Sequence, residues 1–370
     1  MSATITAPTE RLPRPVPRLI IDLEAMKANY ARLCALAQGA RVGAVVKANA
    51  YGLGAGRVAP ALWGAGCRHF YVAHAFEGEA VRAALDERPA EIFVFNGFWP
   101  AEIDLLRQAG LTPVINTPEQ IADLRAHAPD LPFALHLDTG MNRLGLDADQ
   151  TQALLADLSV LNGLRLRQVI SHLSCADEPG HEMNRRQRAL FEQVAAAFPG
   201  VTRSFSNSAG ALLGEDFHFD VLRPGLALCG APPDPLQPNP FTPVATIEAP
   251  ILQIRRLKAG DPVGYGASFI AKAPRVAATV AAGYADGILR ACGDGGYGRV
   301  FGEKAPILGR VSMDLITVDI TAMADRVAPG DMVRFLGEDL QPLSGAAGTI
   351  PFELLVRLGA RFDRRYLGED

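Results

Sequence analysis

Short apolar runs alternate with longer stretches of helical periodicity over the first two thirds of the chain. The runs are four to seven residues long, and most are rich in Val, Ile, Leu and Phe. Amphipathic stretches such as residues 24–37 and 183–198 separate most of them. Strands that alternate with helices are typical of parallel β/α units. We predict strands at residues 18–23, 41–47, 69–74, 91–97, 112–116, 133–138, 167–173, 204–207 and 220–225.

The number of predicted strands favours a closed barrel with one strand outside it. A (β/α)8 barrel uses eight parallel strands, so either one of the nine predictions is wrong or one strand lies elsewhere. A doubly wound sheet is the alternative, but no GxGxxG motif follows the first strand. We therefore predict an α/β fold, in which a TIM-like (β/α)8 barrel is followed by a mainly β C-terminal domain.

A proline-rich segment marks the end of the predicted barrel. Residues 230–244 contain six prolines in fifteen positions, and the pattern beyond them changes to β-rich pieces. Long helical patterns return only near residue 351. We predict a barrel domain over residues 12–241 and a β-rich domain over residues 242–370, and we expect residues 1–11 to pack on the second domain.

Composition and charge limit the binding partners and the cellular compartment that we expect for the protein. The chain of 370 residues has a formal net charge of −4 and an isoelectric point near 6.0, so we expect neither nucleic acid nor an anionic membrane as a partner. No apolar stretch approaches the roughly 20 residues of a membrane helix, and the N-terminus lacks the apolar region of a secretory signal. The 5 cysteines form no CxxC pair, which indicates reduced thiols. We therefore predict a cytoplasmic protein.

Reactive side chains cluster just past the ends of the predicted barrel strands. In a (β/α)8 barrel these points lie on the C-terminal face, where active sites are built. Taken singly, a lysine at a strand end is usually solvated and a lone histidine is usually a hydrogen-bonded core residue. Several strand ends that contribute polar groups to one face favour a functional site instead. The positions are Lys47, Asp138, Arg143, His172, Asn207, Ser208, Arg223 and Gly225.

The lysine and the last two barrel strands together indicate a cofactor. The loops after strands seven and eight form the usual phosphate site of such barrels, because free N–H groups at a helix start bind anions. Asn207 and Ser208, after strand seven, are residue types that cap helices. A lysine at a strand end beside such loops suggests pyridoxal phosphate, whose aldehyde forms an imine with a lysine amine. We expect no metal.

Eight segments occur together in an order and at a spacing that identify a family. They are AVVKANAYGLGA, LDTGMNRLG, SHLSCADE, SNSAG, LRPGLALCG, VGYGASF, GYADG and GRVSMD. These segments resemble those of bacterial alanine racemases, and the resemblance runs over residues 16–366. It implies a pyridoxal-phosphate barrel joined to a β domain, in a head-to-tail homodimer. It also implies that the first strand packs with the second domain, which accounts for the ninth predicted strand.

The resemblance assigns roles to particular residues. Lys47 resembles the Schiff-base lysine, which is also one of two catalytic bases. Tyr265 resembles the opposite base, delivered from the partner subunit into a shared active site. The implied phosphate ligands are Tyr51, Ser208 and the backbone around Gly225 and Leu226.

Further roles concern the cofactor ring and the substrate. Arg223 resembles the arginine that faces the pyridine nitrogen, and His172 resembles the histidine between that arginine and the tyrosine base. Asn207 is expected beside the cofactor as well. Arg143 and Met313 resemble the contacts of the substrate carboxylate.

Two positions depart from the family pattern. The family usually has a lysine, often carbamylated, where this chain has His136, and that lysine helps to position the arginine matched by Arg143. The family has a tyrosine where this chain has Phe352, so a hydroxyl near the cofactor phosphate is absent. We expect these differences to affect substrate breadth more than reaction type.

The resemblance implies an isomerase that interconverts L- and D-alanine by a two-base mechanism, for peptidoglycan or for alanine catabolism. Racemisation of other amino acids, such as serine, lysine or arginine, is an alternative. A barrel-type pyridoxal-phosphate decarboxylase would need a cysteine-bearing substrate motif in the β domain, and Cys292 does not clearly supply one. A non-enzymatic pyridoxal-phosphate carrier is a third alternative, but such proteins usually end after the barrel.

Overall fold

The computed structural model describes residues 16–233, 238–293 and 295–369. The predicted packing of residues 1–11 therefore lies outside the described residues. The chain forms two compact units. The first unit contains Ile21–Ala245, Pro351–Val356 and residues 366–369, and the second contains Thr246–Ile350, Arg357–Arg365 and residues 16–20.

Strands outnumber α-helices among the described residues. The strands are β1 (Arg18–Asp22), β2 (Arg41–Val42), β3 (Ala44–Val45), β4 (His69–Val72), β5 (Glu91–Val94), β6 (Leu111–Ile115), β7 (Pro132–His136), β8 (Arg165–Ile170), β9 (Thr202–Ser204), β10 (Val221–Leu222), β11 (Ala245–Leu257), β12 (Pro262–Val263), β13 (Phe269–Ile270), β14 (Arg275–Val280), β15 (Tyr297–Val300), β16 (Glu303–Pro306), β17 (Ile316–Asp319), β18 (Met332–Leu336) and β19 (Asp363–Leu367). The helices are α1 (Leu23–Leu36), α2 (Lys47–Tyr51), α3 (Ala55–Gly64), α4 (Ala75–Leu85), α5 (Ile103–Gln108), α6 (Pro118–His127), α7 (Ala148–Ala156), α8 (Glu182–Ala195), α9 (Leu340–Ala346) and α10 (Pro351–Val356).

The first unit is built on a closed parallel barrel. Its sheet runs in the order β2-β10-β9-β8-β7-β6-β5-β4-β3, and only Gly43 separates β2 from β3. The two ends of the sheet are therefore one stretch of chain, which pairs with β10 on one side and with β4 on the other. The N–H of Gly43 donates to the carbonyl of Leu222 at 2.9 Å, and that of Val45 donates to Pro224 at 2.9 Å. The predicted (β/α)8 barrel is confirmed.

Local sequence explains why the barrel helices begin where they do. The Asp22 carboxylate accepts the N–H of Ala25 at 2.9 Å and caps α1. Asp147 and Gln150 form a reciprocal capping box at the start of α7, with distances of 2.8 and 3.1 Å. Such caps supply partners for N–H groups that have none within the helix.

The barrel strands read as continuous apolar runs because both of their faces are buried. Residues of β5 after its first position are buried, and all four residues of β4 are buried. Inside the barrel, the ring of Tyr71 stacks on Phe93 at a centroid distance of 4.9 Å, and its hydroxyl lies 3.2 Å from Gln168 Oε1. This aromatic and amide layer lies close to Arg223, whose guanidinium carbon is 6.0 Å from the Tyr71 ring centroid.

One predicted strand lies outside the barrel, as the resemblance implies, and another has different bounds in the structure. Residues 18–23 form β1, which lies between β11 and β19 in the other sheet and outside the barrel. The strand predicted at 204–207 is wrong in its bounds, because β9 covers Thr202–Ser204. Arg203 lies in this strand, and its guanidinium pairs with the Asp220 carboxylate at 3.1 Å.

The second unit is organised by one long strand. β11 pairs antiparallel with β18 through residues 246–250 and with β14 through residues 251–257. Its register shifts between Ile251 and Gln253, where the strand changes partner. β12 and β13 form a separate two-stranded hairpin. Among the described residues, no helix combines the length and the apolar character needed to cross a membrane.

Candidate active site

Lys47 follows the buried strand β3 at the C-terminal end of the barrel. Its ammonium nitrogen lies 5.9 Å from the ring centroid of Phe95. Burial and the charge of Arg143 lower the pKa of Lys47, and the nearby Glu77 carboxylate opposes part of this effect. Burial disfavours the charged ammonium form. A larger fraction of neutral amine is therefore available at Lys47 than at a solvated lysine.

The segment α2, which begins at Lys47, is a single left-handed turn and not a right-handed α-helix. Ala48, Asn49, Ala50 and Tyr51 all have positive φ angles between 51° and 56°. Each such residue costs roughly 1–2 kcal/mol unless it is glycine. Hydrogen bonds from Ala50 N–H to Val46 O at 2.9 Å and from Gly52 N–H to Ala48 O at 2.8 Å offset part of this cost. Strained backbone of this kind concentrates at functional sites.

The turn brings Tyr51 against the loop that follows β10. A Cβ atom at Gly225 would lie 2.1 Å from the Tyr51 hydroxyl oxygen, so a larger residue there would force the tyrosine or the loop to move. The Ser208 hydroxyl accepts the N–H groups of Gly225 at 3.0 Å and of Ala227 at 3.1 Å. Two hydroxyls, of Tyr51 and Ser208, and two backbone N–H groups, of Gly225 and Ala227, thus converge at the loops after β9 and β10. We call this group the phosphate cradle, because such barrels bind phosphate at these loops.

Two further residues predicted at this cradle have structural roles. Asn207 accepts the N–H of Gly210 through Oδ1 at 2.9 Å and so closes the turn that leads into a short 3-10 helix. The carbonyl of Leu226 accepts the N–H of Cys229 at 3.0 Å.

Phe352 stands where the family has a tyrosine. Its ring stacks on Tyr51 with a centroid distance of 5.1 Å. Its ring therefore lies beside the cradle.

Arg223 is a buried cation whose described partners are all neutral. Its Nη1 donates to Ser204 Oγ at 2.6 Å, and its Nη2 donates to the carbonyl of Ser171 at 2.5 Å. Its Nε atom is buried and has no hydrogen-bond partner among the described residues. Burial lowers the pKa of Arg223 to about 10. The guanidinium therefore remains charged near neutral pH.

His172 is held in one tautomer by this arginine. Nη2 of Arg223 lies 3.4 Å from Nδ1 of His172. Arginine can only donate hydrogen bonds, so Nδ1 accepts and Nε2 carries the proton. Burial and the charge of Arg223 lower the pKa of His172 well below its usual range. The ring is thus neutral and presents Nε2–H as a donor.

His136 is also neutral and also fixed in orientation. The amide nitrogen of Asn116 donates to the carbonyls of Phe95 at 2.9 Å and Val114 at 2.8 Å. The Oδ1 atom of Asn116 must therefore accept a hydrogen bond from Nδ1–H of His136, which lies 2.8 Å away. Burial and the charge of Arg223 lower the pKa of His136 to about 4. Its Nε2 is left as an unprotonated acceptor.

The loop that carries Arg143 is organised by Asp138. The Asp138 carboxylate accepts the N–H groups of Gly140 at 2.9 Å, Met141 at 2.9 Å and Asn142 at 2.8 Å. Arg143 follows directly and is exposed. Its charge lowers the pKa of Lys47, His136 and His172. The structure therefore groups Arg143 with these three residues at one end of the barrel.

Tyr265 belongs to the second unit and projects into solvent. It lies on a 3-10 turn between β12 and β13, and 73% of its surface is exposed. The flanking Gly264 and Gly266 both have φ near 70°, a conformation that glycine adopts without steric cost. This hairpin holds the tyrosine at the tip of a short loop.

Met313 lies where the GYADG and GRVSMD segments meet. The N–H groups of Tyr284 and Ala285 donate to the carbonyls of Ser312 and Met313, each at 3.0 Å. A Cβ atom at Gly283 would lie 2.3 Å from the Met313 oxygen. The glycine is therefore required for this contact, and the Met313 side chain is exposed.

The residues of the first unit fit pyridoxal phosphate. The cofactor needs an amine for its aldehyde, donors for its phosphate and a partner for its ring nitrogen. Lys47, the Ser208–Gly225 cradle and the unpartnered Nε of Arg223 supply these groups. No group of three or more His, Cys, Asp or Glu side chains in the described parts of the chain is placed to hold a metal ion.

Sequence reasoning missed three participants. Ala227 contributes a backbone N–H group, and the residue type alone does not indicate such a contact. Asn116 fixes the tautomer of His136 from the end of the neighbouring strand β6. Glu77 receives the N–H of Ala48 at 2.6 Å. A glutamate near the start of a helix is common, so its residue type gave no signal of this contact.

Both parts of the chain match families of one enzyme. Residues 21–233 match the alanine racemase N-terminal domain, and residues 244–366 match the alanine racemase C-terminal domain. The catabolic alanine racemase of Agrobacterium fabrum is 44% identical over 356 residues, which cover 94% of this chain and 92% of that protein. The alanine racemase of Rhodospirillum rubrum is 45% identical over 360 residues, with coverages of 95% and 96%.

Solved structures give the same picture. Alanine racemase from Bartonella henselae, with covalently bound pyridoxal phosphate, matches with a TM-score of 0.90 and 38% identity. The match covers 95% of this chain and 99% of that chain. Biosynthetic alanine racemase from Pseudomonas aeruginosa matches with a TM-score of 0.88 and 36% identity, with the same coverages.

Proposed function

Because the chain belongs to the alanine racemase family, we propose that it is a pyridoxal-phosphate-dependent isomerase that interconverts L- and D-alanine. One observation in the structure supports this proposal most strongly. A lysine of lowered pKa, a cradle of hydroxyl and N–H groups and a buried arginine with neutral partners occur together at one end of a barrel. This combination matches the chemistry of a phosphorylated pyridine aldehyde.

Each part of the cofactor has a partner in the chain. Tyr51, Ser208 and the backbone of Gly225 would hold the phosphate, Lys47 would bind the aldehyde carbon, and Arg223 would face the ring nitrogen. When bound, pyridoxal phosphate withdraws electrons from the amino acid and so makes its Cα proton acidic. Because Arg223 stays charged and only donates, it favours an unprotonated ring nitrogen. We infer that this limits side reactions such as transamination.

Racemisation requires proton transfer on both faces of Cα. A single fixed base cannot readily reach both faces, so two opposed groups are needed. The Lys47 amine serves one face, and its lowered pKa suits a group that alternately takes and returns a proton. We assign the other face to Tyr265.

We infer that Tyr265 acts in the active site of a second copy of the chain. A tyrosine has an ordinary pKa of about 10 and is a weak base at neutral pH. The Nε2–H group of His172, backed by the charge of Arg223, would donate a hydrogen bond to the tyrosine oxygen during proton transfer. The 73% exposure of Tyr265 suits a residue that is covered only in a homodimer. Arg143 and Met313 would contact the substrate carboxylate.

The test combines a substrate panel with two variants. Purified protein should racemise alanine faster than serine, lysine or arginine, without release of carbon dioxide. Borohydride treatment should attach the cofactor to the peptide that contains Lys47, and mass spectrometry should detect no such adduct in Lys47→Ala. Tyr265→Phe should keep the adduct but lose racemisation in both directions. Carbon dioxide release would indicate a decarboxylase, and an absent adduct in the wild type would refute the cofactor assignment.

A further inference from the structure

Glu77 lies on the helix that follows β4, yet one of its oxygens contacts the loop that follows β3. Its Oε1 atom accepts the N–H of Ala48 at 2.6 Å. Ala48 directly follows Lys47 and is the first residue of the left-handed turn. A short hydrogen bond to a carboxylate is stronger than one between neutral groups. The backbone next to Lys47 is therefore fixed by a charged side chain from a neighbouring β/α unit.

The second oxygen of Glu77 is occupied on its own side. Oε2 accepts the N–H groups of Ala73 at 2.9 Å and of His74 at 3.1 Å, at the start of α4. These bonds anchor the carboxylate rigidly at the end of β4. One side chain thus joins the loops after two adjacent barrel strands through three hydrogen bonds.

The turn that Glu77 caps sets the relation between two cofactor contacts. The later N–H groups of the turn donate to backbone carbonyls, as in Ala50 to Val46 at 2.9 Å. Ala48 N–H instead donates to the Glu77 carboxylate. Lys47 stands at the start of this turn and Tyr51 at its end. If the turn relaxed toward right-handed angles, the Tyr51 hydroxyl would leave its position beside Gly225.

We propose that Glu77 is a positioning residue for the reaction, which pins the left-handed turn through Ala48 and thereby fixes Lys47 and Tyr51 relative to the cofactor. This inference rests on the proposed function. The carboxylate also provides the negative charge that partly offsets the lowering of the Lys47 pKa by burial and by Arg143. Glu77 acts through its neighbours and does not itself touch the reacting atoms.

Two substitutions separate the effect of the Glu77 charge from the effect of its side-chain length. Glu77→Gln keeps the length of the side chain but offers one acceptor oxygen to three N–H donors. Glu77→Asp keeps the charge but is one methylene shorter and should not reach Ala48. The control is Glu79→Gln, which removes the same charge from an exposed position two residues along the same helix.

Three quantities are measured on the full-length protein. They are the dissociation constant of pyridoxal phosphate, the hydrogen-exchange rate of the Ala48 amide and the melting temperature of the cofactor-free chain. We expect both Glu77 variants to bind the cofactor about tenfold to hundredfold more weakly and to exchange the Ala48 amide faster by a similar factor, as for loss of a hydrogen bond to a charged group. Glu79→Gln should match the wild type in all three.

A purely structural role predicts a different pattern. If the Glu77 variants melt at lower temperature but keep wild-type cofactor affinity and Ala48 exchange, Glu77 only caps α4 and the inference is wrong. Fast exchange of the Ala48 amide in the wild type would also overturn it, even if no variant folds. Failure of the wild type to form a cofactor adduct at Lys47 would refute the proposed function instead, so the two failures are distinguishable.

Discussion

Nη2 of Arg223 donates a hydrogen bond to Nδ1 of His172 across 3.4 Å. The arginine is buried, so this contact brings a permanent positive charge to one side of the imidazole. It also leaves the proton of the neutral ring on Nε2. The buried charge of Arg223 therefore fixes the tautomer of His172. The Nε2–H group of His172 becomes a hydrogen-bond donor at the end of the barrel.

Arg223→Lys should weaken this arrangement although it keeps the charge. A lysine ammonium cannot reproduce the planar set of bonds to Ser204, Ser171 and His172. We expect kcat/KM for alanine to fall on the order of 100-fold, because His172 loses its fixed tautomer. Steady-state kinetics in both directions measure the effect. Activity within about twofold of the wild type would contradict the role of the contact between Arg223 and His172.

His136 should make the protein less stable in acid. Its pKa is about 4 in the folded chain, below the ordinary value of 6.5. Between these values the unfolded chain binds a proton that the folded chain does not, so the free energy of unfolding falls as the pH drops from 6.5 to 4. Above pH 6.5 both states are neutral at this residue and it contributes nothing. The accumulated loss is about 3 kcal/mol at pH 4.

Denaturant unfolding of wild type and His136→Gln between pH 7.5 and 4.5 tests this expectation. The wild type should lose more stability than the variant over this interval, since glutamine does not titrate. The control is His127→Gln, at an exposed histidine at the end of α6, which should follow the wild type. Parallel curves for wild type and His136→Gln would show that His136 is not buried in the neutral form.

Gly225→Ala should damage the phosphate cradle. The added Cβ would lie 2.1 Å from the Tyr51 hydroxyl, so either the tyrosine or the loop must move. We expect cofactor affinity to fall by at least about tenfold, which corresponds to roughly 1.4 kcal/mol. Equilibrium binding of pyridoxal phosphate measures this change. Gly56→Ala, in a helix where an added Cβ meets no atom within 4 Å, should have no such effect.

Asp286→Asn should destabilise the second unit. Asp286 is buried and receives two bonds from Arg361, at 2.7 and 3.0 Å, and the N–H of Gly283 at 2.9 Å. Because Arg361 is half-exposed, we discount the loss for solvent screening and expect about 1–2 kcal/mol. Thermal or denaturant unfolding measures it. Asp363→Asn, which breaks the exposed pair with Arg365, should cost less than about 0.5 kcal/mol.

The barrel was predictable because its strands are buried on both faces and leave continuous apolar runs such as EIFV. The polar residues at the strand ends were predictable for the same reason, since Lys47 and Arg223 interrupt an otherwise apolar pattern. The helix α9 was not predicted, because Pro342 and Gly345 lie inside it and both normally disfavour helices.

The left-handed turn after Lys47 was beyond sequence reasoning. Its residues are Ala, Asn, Ala and Tyr, and no glycine signals positive φ angles. The conformation depends on partners that are distant in sequence, above all the Glu77 carboxylate. Similarly, the neutral state of His136 depends on burial and on the charge of Arg223, and its tautomer depends on Asn116. Tertiary environment decides such features, and one-dimensional patterns do not record it.

The most direct test of the two-base account mixes two inactive variants, Lys47→Ala and Tyr265→Phe. If each active site takes Lys47 from one subunit and Tyr265 from the other, every mixed dimer contains one site with both residues intact. In an equimolar mixture, random exchange of subunits should then restore alanine racemisation to about one quarter of the wild-type rate, because half of the dimers are mixed and each has one intact site of two. No recovery in a sample shown by mass spectrometry to contain mixed dimers would contradict the account.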